Sequence, residues 1–156
     1  MLVRGSRVGI IGGSIAGCAT AIALERLGCD VQVFERSRGV LRDRGSGIAI
    51  PITLRDELID AGYLPAGYPH CRVSHRWWIL ADGTSSGRLL WTQPAPAAHN
   101  NWGVLWRQLR AGVADARYHD GVTLLGFSQD AKGVTAVLDH GTSQRFDLLV
   151  GADGYR

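Results

Sequence analysis

Gly12-Gly13-Ser14-Ile15-Ala16-Gly17, with Glu35 placed 18 residues beyond the last glycine, are the residues whose types and spacing point most directly to chemistry. They suit the binding of a dinucleotide. A glycine at position 12 permits a tight turn off a strand, and small residues after it let backbone N–H groups approach a pyrophosphate. Gly17 lets the next helix sit close to the sheet, with its positive N-terminus toward the phosphates. A carboxylate about 20 residues further on can accept hydrogen bonds from a ribose diol, which is the role the spacing gives Glu35. Arg36 beside it suits adenine stacking or a 2′-phosphate. The pattern departs from G-x-G-x-x-G at its middle position, where Ser14 adds a Cβ and a hydroxyl able to donate to a phosphate or cap the helix. A second candidate contact lies at the far end of the chain. Asp147 to Val150 reads as an apolar strand running into Gly151-Ala152-Asp153-Gly154. Ligands in open α/β sheets bind outside the carboxyl ends of strands, so Asp153 and Gly154 are expected to face the same ligand.

These residues need strands and helices to place them. Val8, Ile10 and Ile11 predict a strand, the small residues up to Leu27 a helix stopped by Gly28, and Val31 to Phe34 a second strand that delivers Glu35. The fold class is therefore α/β, opening with a strand, turn, helix, strand unit. After the arginine-rich loop RSRGVLRDRGSG and an apolar run from Ile48 to Ile52, a helix is expected over Thr53 to Ala61. Cys71 to Leu80 and Ser86 to Trp91, joined through Ala81-Asp82-Gly83, read as a β-hairpin; Gln93 to Ala98 reads as a proline- and alanine-rich loop. Trp102 to Val113 has helical spacing. Val122 to Phe127, Val134 to Leu138 and Ser143 to Phe146 read as an antiparallel meander.

Composition limits the alternatives. With 156 residues, 46% hydrophobic and 20% charged, the chain can bury one sizeable core. Its net charge of +3 comes almost wholly from arginine without a basic run, which gives no case for nucleic acid. Three cysteines, Cys18, Cys29 and Cys71, lack C-x-x-C spacing and read as reduced thiols of a cytoplasmic protein, Cys18 packed on its helix. His70, Cys71 and His75 lack metal-ligand spacings, so no metal is expected. Arg4 and Arg7 ahead of the uncharged run Val8 to Leu24 imitate the start of a signal peptide. Glycines interrupt that run, and it falls short of the roughly 20 apolar residues a bilayer needs, so no membrane partner is expected.

Three motifs spanning nearly the whole chain resemble the first half of the FAD-dependent aromatic hydroxylases, the class A flavoprotein monooxygenases typified by p-hydroxybenzoate hydroxylase. The branch containing dihydroxypyridine hydroxylase, whose glycine loop also reads GGSI, is the most similar. IIGGSIAG with Glu35-Arg36 resembles the motif that holds the pyrophosphate and adenosine ribose of FAD. RGSGIAI, Arg44 to Ile50, resembles the loop beside the flavin ring, which implies cofactor contacts from Arg44, Ser46 and Gly47. DLLVGADG, Asp147 to Gly154, resembles the motif serving both FAD and NAD(P)H. Trp102 aligns with a cofactor-contacting arginine of many members, exchanging a charge-assisted donor for a ring that stacks or donates one N–H.

The resemblance implies a Rossmann-like FAD-binding βαβ unit with an added antiparallel β meander and part of a β-rich substrate domain. It divides the chain into residues 1–70 (FAD-binding βαβ and flavin loop), 71–98 (a hairpin of the substrate domain) and 99–156 (a return to the FAD-binding domain), with the C-terminal half of the family fold absent. It also implies FAD as cofactor, NAD(P)H as co-substrate, a small aromatic substrate, homodimerisation as an option for a full-length chain, and an inactive fragment in isolation. No catalytic side chain is named, because the cofactor carries the chemistry. Arg42 and Arg44 read equally as attractors of an anionic cofactor or substrate and as solvated loop charge. Trp77 and Trp78 point to opposite faces of a strand; packing is favoured over an aromatic pocket, and on these residues alone an apolar patch should stay exposed. Two other readings fit parts of the sequence: an NAD(P)-binding domain of a reductase, which leaves the hairpins and GADG unexplained, and a non-catalytic nucleotide-binding remnant.

Overall fold

The computed structural model describes residues 3–39, 41, 47–139 and 141–154. It divides into two compact units, Met1–Gly45 with Gly103–Arg156, and Ser46–Trp102.

The first unit is built on a four-stranded parallel sheet. β1 (Arg7–Ile11) leads through the glycine turn into α1 (Ile15–Arg26), and β2 (Asp30–Glu35) returns beside it. Within the other unit lie β3 (Gly47–Pro51), β4 (Cys71–Leu80) and β5 (Arg88–Asn101); the first unit then resumes with β6 (Tyr118–Asp120), β7 (Leu124–Asp130), β8 (Gly133–Leu138), β9 (Ser143–Phe146) and β10 (Leu148–Gly151). The parallel sheet has the order β10-β1-β2-β6, with Ile10 level with Val150 on one side and Val33 on the other. Alternation along β1 sorts its side chains between two layers. Val8 and Ile10 lie on the face that α1 covers, where a Cβ at Gly17 would touch the Ile10 side chain at 3.6 Å. Gly9 and Ile11 lie on the opposite face, against the antiparallel sheet β7-β8-β9. There Ile11, Phe34, Ala136, Leu138 and Phe146 form a buried cluster. Phe146 reaches so near Gly9 that a Cβ there would meet its ring at 2.9 Å. α3 (Trp102–Ala111) buries Leu105, Trp106 and Leu109, the apolar spacing read from the sequence.

β6 has no counterpart in the sequence reading. It is three residues long, pairs parallel with β2 (Val33 with Tyr118, Glu35 with Asp120), and completes the sheet. No periodicity can show in so short a strand.

The second unit is a three-stranded sheet in the order β3-β5-β4, with α2 (Ile52–Asp60) after β3. One expectation is corrected by it. Gln93 to Ala98 is not a loop: β5 runs unbroken from Arg88 to Asn101. The two prolines lie where only β4 pairs with β5, since β3 begins its pairing at Ala97. Neither proline N is therefore needed by a strand on the β3 side, and a register shift between Val73 and His75 absorbs the irregularity. β3 joins the hairpin sheet by antiparallel pairing with β5, and the compact unit that holds it runs from Ser46 to Trp102. Trp77 and Trp78 are 66% and 47% exposed, in line with the apolar patch expected on these residues alone. α2 buries no residue among those described, and Trp78 stacks on its cross-strand neighbour Trp91 at 5.8 Å between centroids.

Candidate functional site

The glycine turn is held at both sides. Gly12 N–H donates to the Phe34 carbonyl at 2.8 Å, and Ala152 N–H donates to the Ile11 carbonyl at 2.7 Å, tying the end of β1 to the ends of β2 and β10. Gly12 has φ +103°, open to glycine at little cost, and a Cβ there would run into the backbone of Ala152 and Asp153. At Gly17 a Cβ would overlap the Gly12 carbonyl oxygen. The helix start is thus drawn against the turn as closely as backbone allows. Ser14 is its N-cap, extended and without a side-chain capping bond, and no acid lies in the first turn. The positive end of α1 is therefore left for an external anion.

Around this turn is a cleft of about 520 Å³ at the carboxyl ends of the parallel strands. Gly12, Ser14 and Ala16 form one wall; Phe34, Glu35 and Arg36 continue it from β2, and residues Gly151 to Gly154 close the β10 side. The order β10-β1-β2 reverses direction at β1, and such a switch point is where open α/β sheets bind ligands. Glu35 is 7% exposed, with one carboxylate oxygen accepting the Gly13 N–H and the other the Ser37 N–H, each at 2.8 Å. Each oxygen has a further lone pair with which to accept a ligand hydroxyl. The acid thus shapes the loop as well as facing the cleft. Val122 N–H donates to the Glu35 carbonyl at 2.9 Å, which brings Val122, Thr123 and Leu124 into the wall.

Behind the loop, the Gly13 carbonyl accepts three donors: Trp106 Nε1–H at 2.9 Å, Tyr118 Oη–H at 3.0 Å and Cys18 Sγ–H at 3.3 Å. Burial pushes the Cys18 thiol up to about 11. Burial likewise raises Tyr118, with the neighbouring Cys18 and Glu35 adding to the effect. Both groups keep their protons, and so remain donors, at neutral pH.

The glycine floor that a Cβ would fill, the unneutralised helix end and the ribose-ready acid fit a diphosphate-bearing dinucleotide. Residues 6–156 match the family described as FAD binding domain. The chain belongs to that family. A 2,6-dihydroxypyridine 3-monooxygenase of Paenarthrobacter nicotinovorans is 29% identical over 148 residues, covering 95% of this chain and 36% of that protein. A chloroplastic zeaxanthin epoxidase of Oryza sativa subsp. japonica is 30% identical over 174 residues, 97% of this chain and 25% of its own length. The solved structure of 2,6-dihydroxypyridine-3-hydroxylase from Arthrobacter nicotinovorans superposes with a TM-score of 0.82 at 27% identity, over 98% of this chain and 38% of that one. This FAD binding domain thus spans well under half of the relatives it matches.

Of the residues singled out in the sequence, the structure gathers Gly12, Ser14, Ala16, Glu35, Arg36, Asp153 and Gly154 around one cleft. Gly13 lies behind it, and Gly17 is buried in the first turn of α1, which half-buried Ile15 opens. Gly47 opens β3 and Trp102 opens α3, both in the second unit. Arg42, Arg44 and Ser46 lie outside the described residues. The sequence reading missed Phe34, Val122, Thr123, Leu124, Trp106 and Tyr118. For Phe34 the signal was present, since it immediately precedes Glu35 on a strand; the others are brought in by long-range pairing. No helix among the described residues is long and apolar enough to cross a membrane.

Proposed function

We propose that this chain is the FAD-binding N-terminal portion of an NAD(P)H-dependent flavoprotein monooxygenase that hydroxylates a small aromatic or heteroaromatic substrate in the cytoplasm. The observation that carries the reading is the cleft at the β1 switch point, where the bare helix end, Glu35 and Asp153 converge in a chain of the FAD binding domain family. The names of the hydroxypyridine relatives support the aromatic substrate; the epoxidase among the relatives extends the same oxygen-transferring class to a double bond.

In this reading the Gly12 to Gly17 loop and the first turn of α1 hold the pyrophosphate, Glu35 accepts the ribose hydroxyls and Arg36 flanks the adenine. Asp153 and Gly154 meet the cofactor from β10, Arg44, Ser46 and Gly47 serve its flavin ring, and Trp102 is a further cofactor contact. Bound FAD would supply hydride acceptance from NAD(P)H and activation of O2; the residues of this chain bind it, orient it and exclude water from its adenosine half.

The test is to measure the affinity of the purified protein for FAD, NAD and NADP separately, and then NAD(P)H consumption on adding hydroxylated pyridines and benzoates. FAD binding in preference to NAD and NADP is expected of these residues, with aromatic-stimulated turnover only in a longer chain that carries the rest of the family fold. NAD or NADP binding more tightly than FAD would overturn the proposal in favour of a reductase domain, and no nucleotide binding would favour a remnant.

A further inference from the structure

We infer that Trp106 and Tyr118 are positioning residues for the cofactor: with Cys18 they fix the peptide between Gly13 and Ser14 so that its N–H side faces the pyrophosphate. This inference rests on the proposal that the glycine loop binds the pyrophosphate.

Gly13 is held through both of the peptides it joins. The Gly13 N–H is given to Glu35, while its carbonyl takes the indole N–H, the phenol O–H and the thiol S–H at 2.9, 3.0 and 3.3 Å. An ordinary carbonyl takes one or two donors. The three come from α3, β6 and α1, so elements far apart in sequence converge on a single oxygen. The indole bond is buried and the phenol bond half-buried, so neither is readily replaced by water.

The geometry of a planar trans peptide gives this clamp its consequence. When the Gly13 carbonyl points to the three donors, the Ser14 N–H points the opposite way, and no cis peptide occurs among the described residues. Ser14 lines the cleft, whereas Gly13 and its three donors lie outside the lining. A flip of this plane would turn a carbonyl oxygen toward the phosphates in place of an N–H, exchanging attraction for repulsion where the helix end is meant to attract an anion. Gly13 is also the residue most able to flip, since it lacks a side chain. Tyr118 limits the space as well: a Cβ at position 13 would overlap its hydroxyl. Arg110, at 4.1 Å over the Tyr118 ring, and its bond to the Val113 carbonyl at 2.7 Å hold the phenol against the end of α3.

The experiment compares Tyr118→Phe, Trp106→Phe and the double variant by titrating FAD, ADP and riboflavin, alongside urea unfolding of the ligand-free protein. A hydrogen bond contributes about 0.5–1.5 kcal/mol, roughly a 2- to 13-fold change in Kd. Each single variant should therefore weaken FAD and ADP in parallel by about that factor, and the double by about 30-fold, with riboflavin, which has no pyrophosphate, unaffected. Unchanged ADP and FAD affinity in folded Tyr118→Phe and double variants, with only the urea midpoint lowered, would show a purely structural role and overturn the inference. If Trp106→Phe does not fold, Tyr118→Phe decides alone, since it keeps the ring that Arg110 covers. A parent protein that binds neither FAD nor ADP would overturn the underlying site proposal first, and this inference with it.

Discussion

Glu35 illustrates how one residue can be legible in a sequence and still be only half understood from it. Its offset from Gly17 marks it as a ribose acceptor, but nothing local shows that its carboxylate also takes the Gly13 and Ser37 N–H groups. Replacing one oxygen by an NH2 sets a donor against a backbone donor. Glu35→Gln should therefore weaken FAD binding by about 1–3 kcal/mol, the cost of an unsatisfied buried partner; a titration giving the parent's Kd would remove Glu35 from the site. Cys18 was legible as a packed thiol and is fully buried. Its pKa rises from 9.0 to about 11, so between those values the unfolded chain has released a proton that the native state retains. The unfolded state is then favoured as pH rises, and the stability contributed by the neutral thiol is complete below pH 9 and lost through pH 11. Tyr118, raised for the same reason, extends the decline upward. Urea midpoints should fall over this range, and Cys18→Ala should flatten the first part of the fall. A parent and variant with the same slope would contradict the assignment.

Elements were legible where local pattern and tertiary role agree. β1, α1 and β2 follow the sequence reading to within a residue or so, because strand, turn and helix each carry their own signal there. The failures lie where a long-range partner decides. Pro94 and Pro96 argue locally for a loop, yet β4 pairing holds them in a strand; Tyr118 to Asp120 carry no strand pattern, yet β2 recruits them. The Tyr118 contact to Gly13, and thus part of the candidate site, was invisible for that reason. The packing of α1 on the sheet gives the prediction at this scale. Gly17→Ala places a methyl on the Gly12 carbonyl oxygen, a backbone atom that Phe34 and Ala152 bonding keeps from yielding. The helix must move away from β1, which should cost at least about 1–3 kcal/mol of stability and weaken FAD binding. An unfolding curve that superposes on the parent's would show that α1 has slack the structure does not reveal.

At the scale of the whole molecule, the two units differ in how they bury apolar surface. In the first, the parallel sheet is covered on both faces, and Val8, Ile10, Val31 and Val33 are 0% exposed. In the second, Trp77, Trp78, Ile79, Leu80, Leu89, Leu90 and Trp91 are each at least 43% exposed on the β4–β5 ribbon. The sequence foreshadowed this, since adjacent tryptophans on one strand point to opposite faces and both need cover. Contiguous apolar surface beyond a few hundred Å² is unusual on a soluble monomer. The 156 residues should therefore bind a hydrophobic dye and self-associate as concentration rises. Trp77→Lys combined with Leu90→Lys should suppress both while shifting the urea midpoint little, because exposed side chains contribute within about 0.5 kcal/mol of stability. Dye fluorescence and sedimentation of parent and double variant provide the measurement. A parent that stays monomeric and dark with the dye would mean the ribbon folds its aromatics against surface that this structure leaves open, and a double variant that unfolds would place those residues in a core.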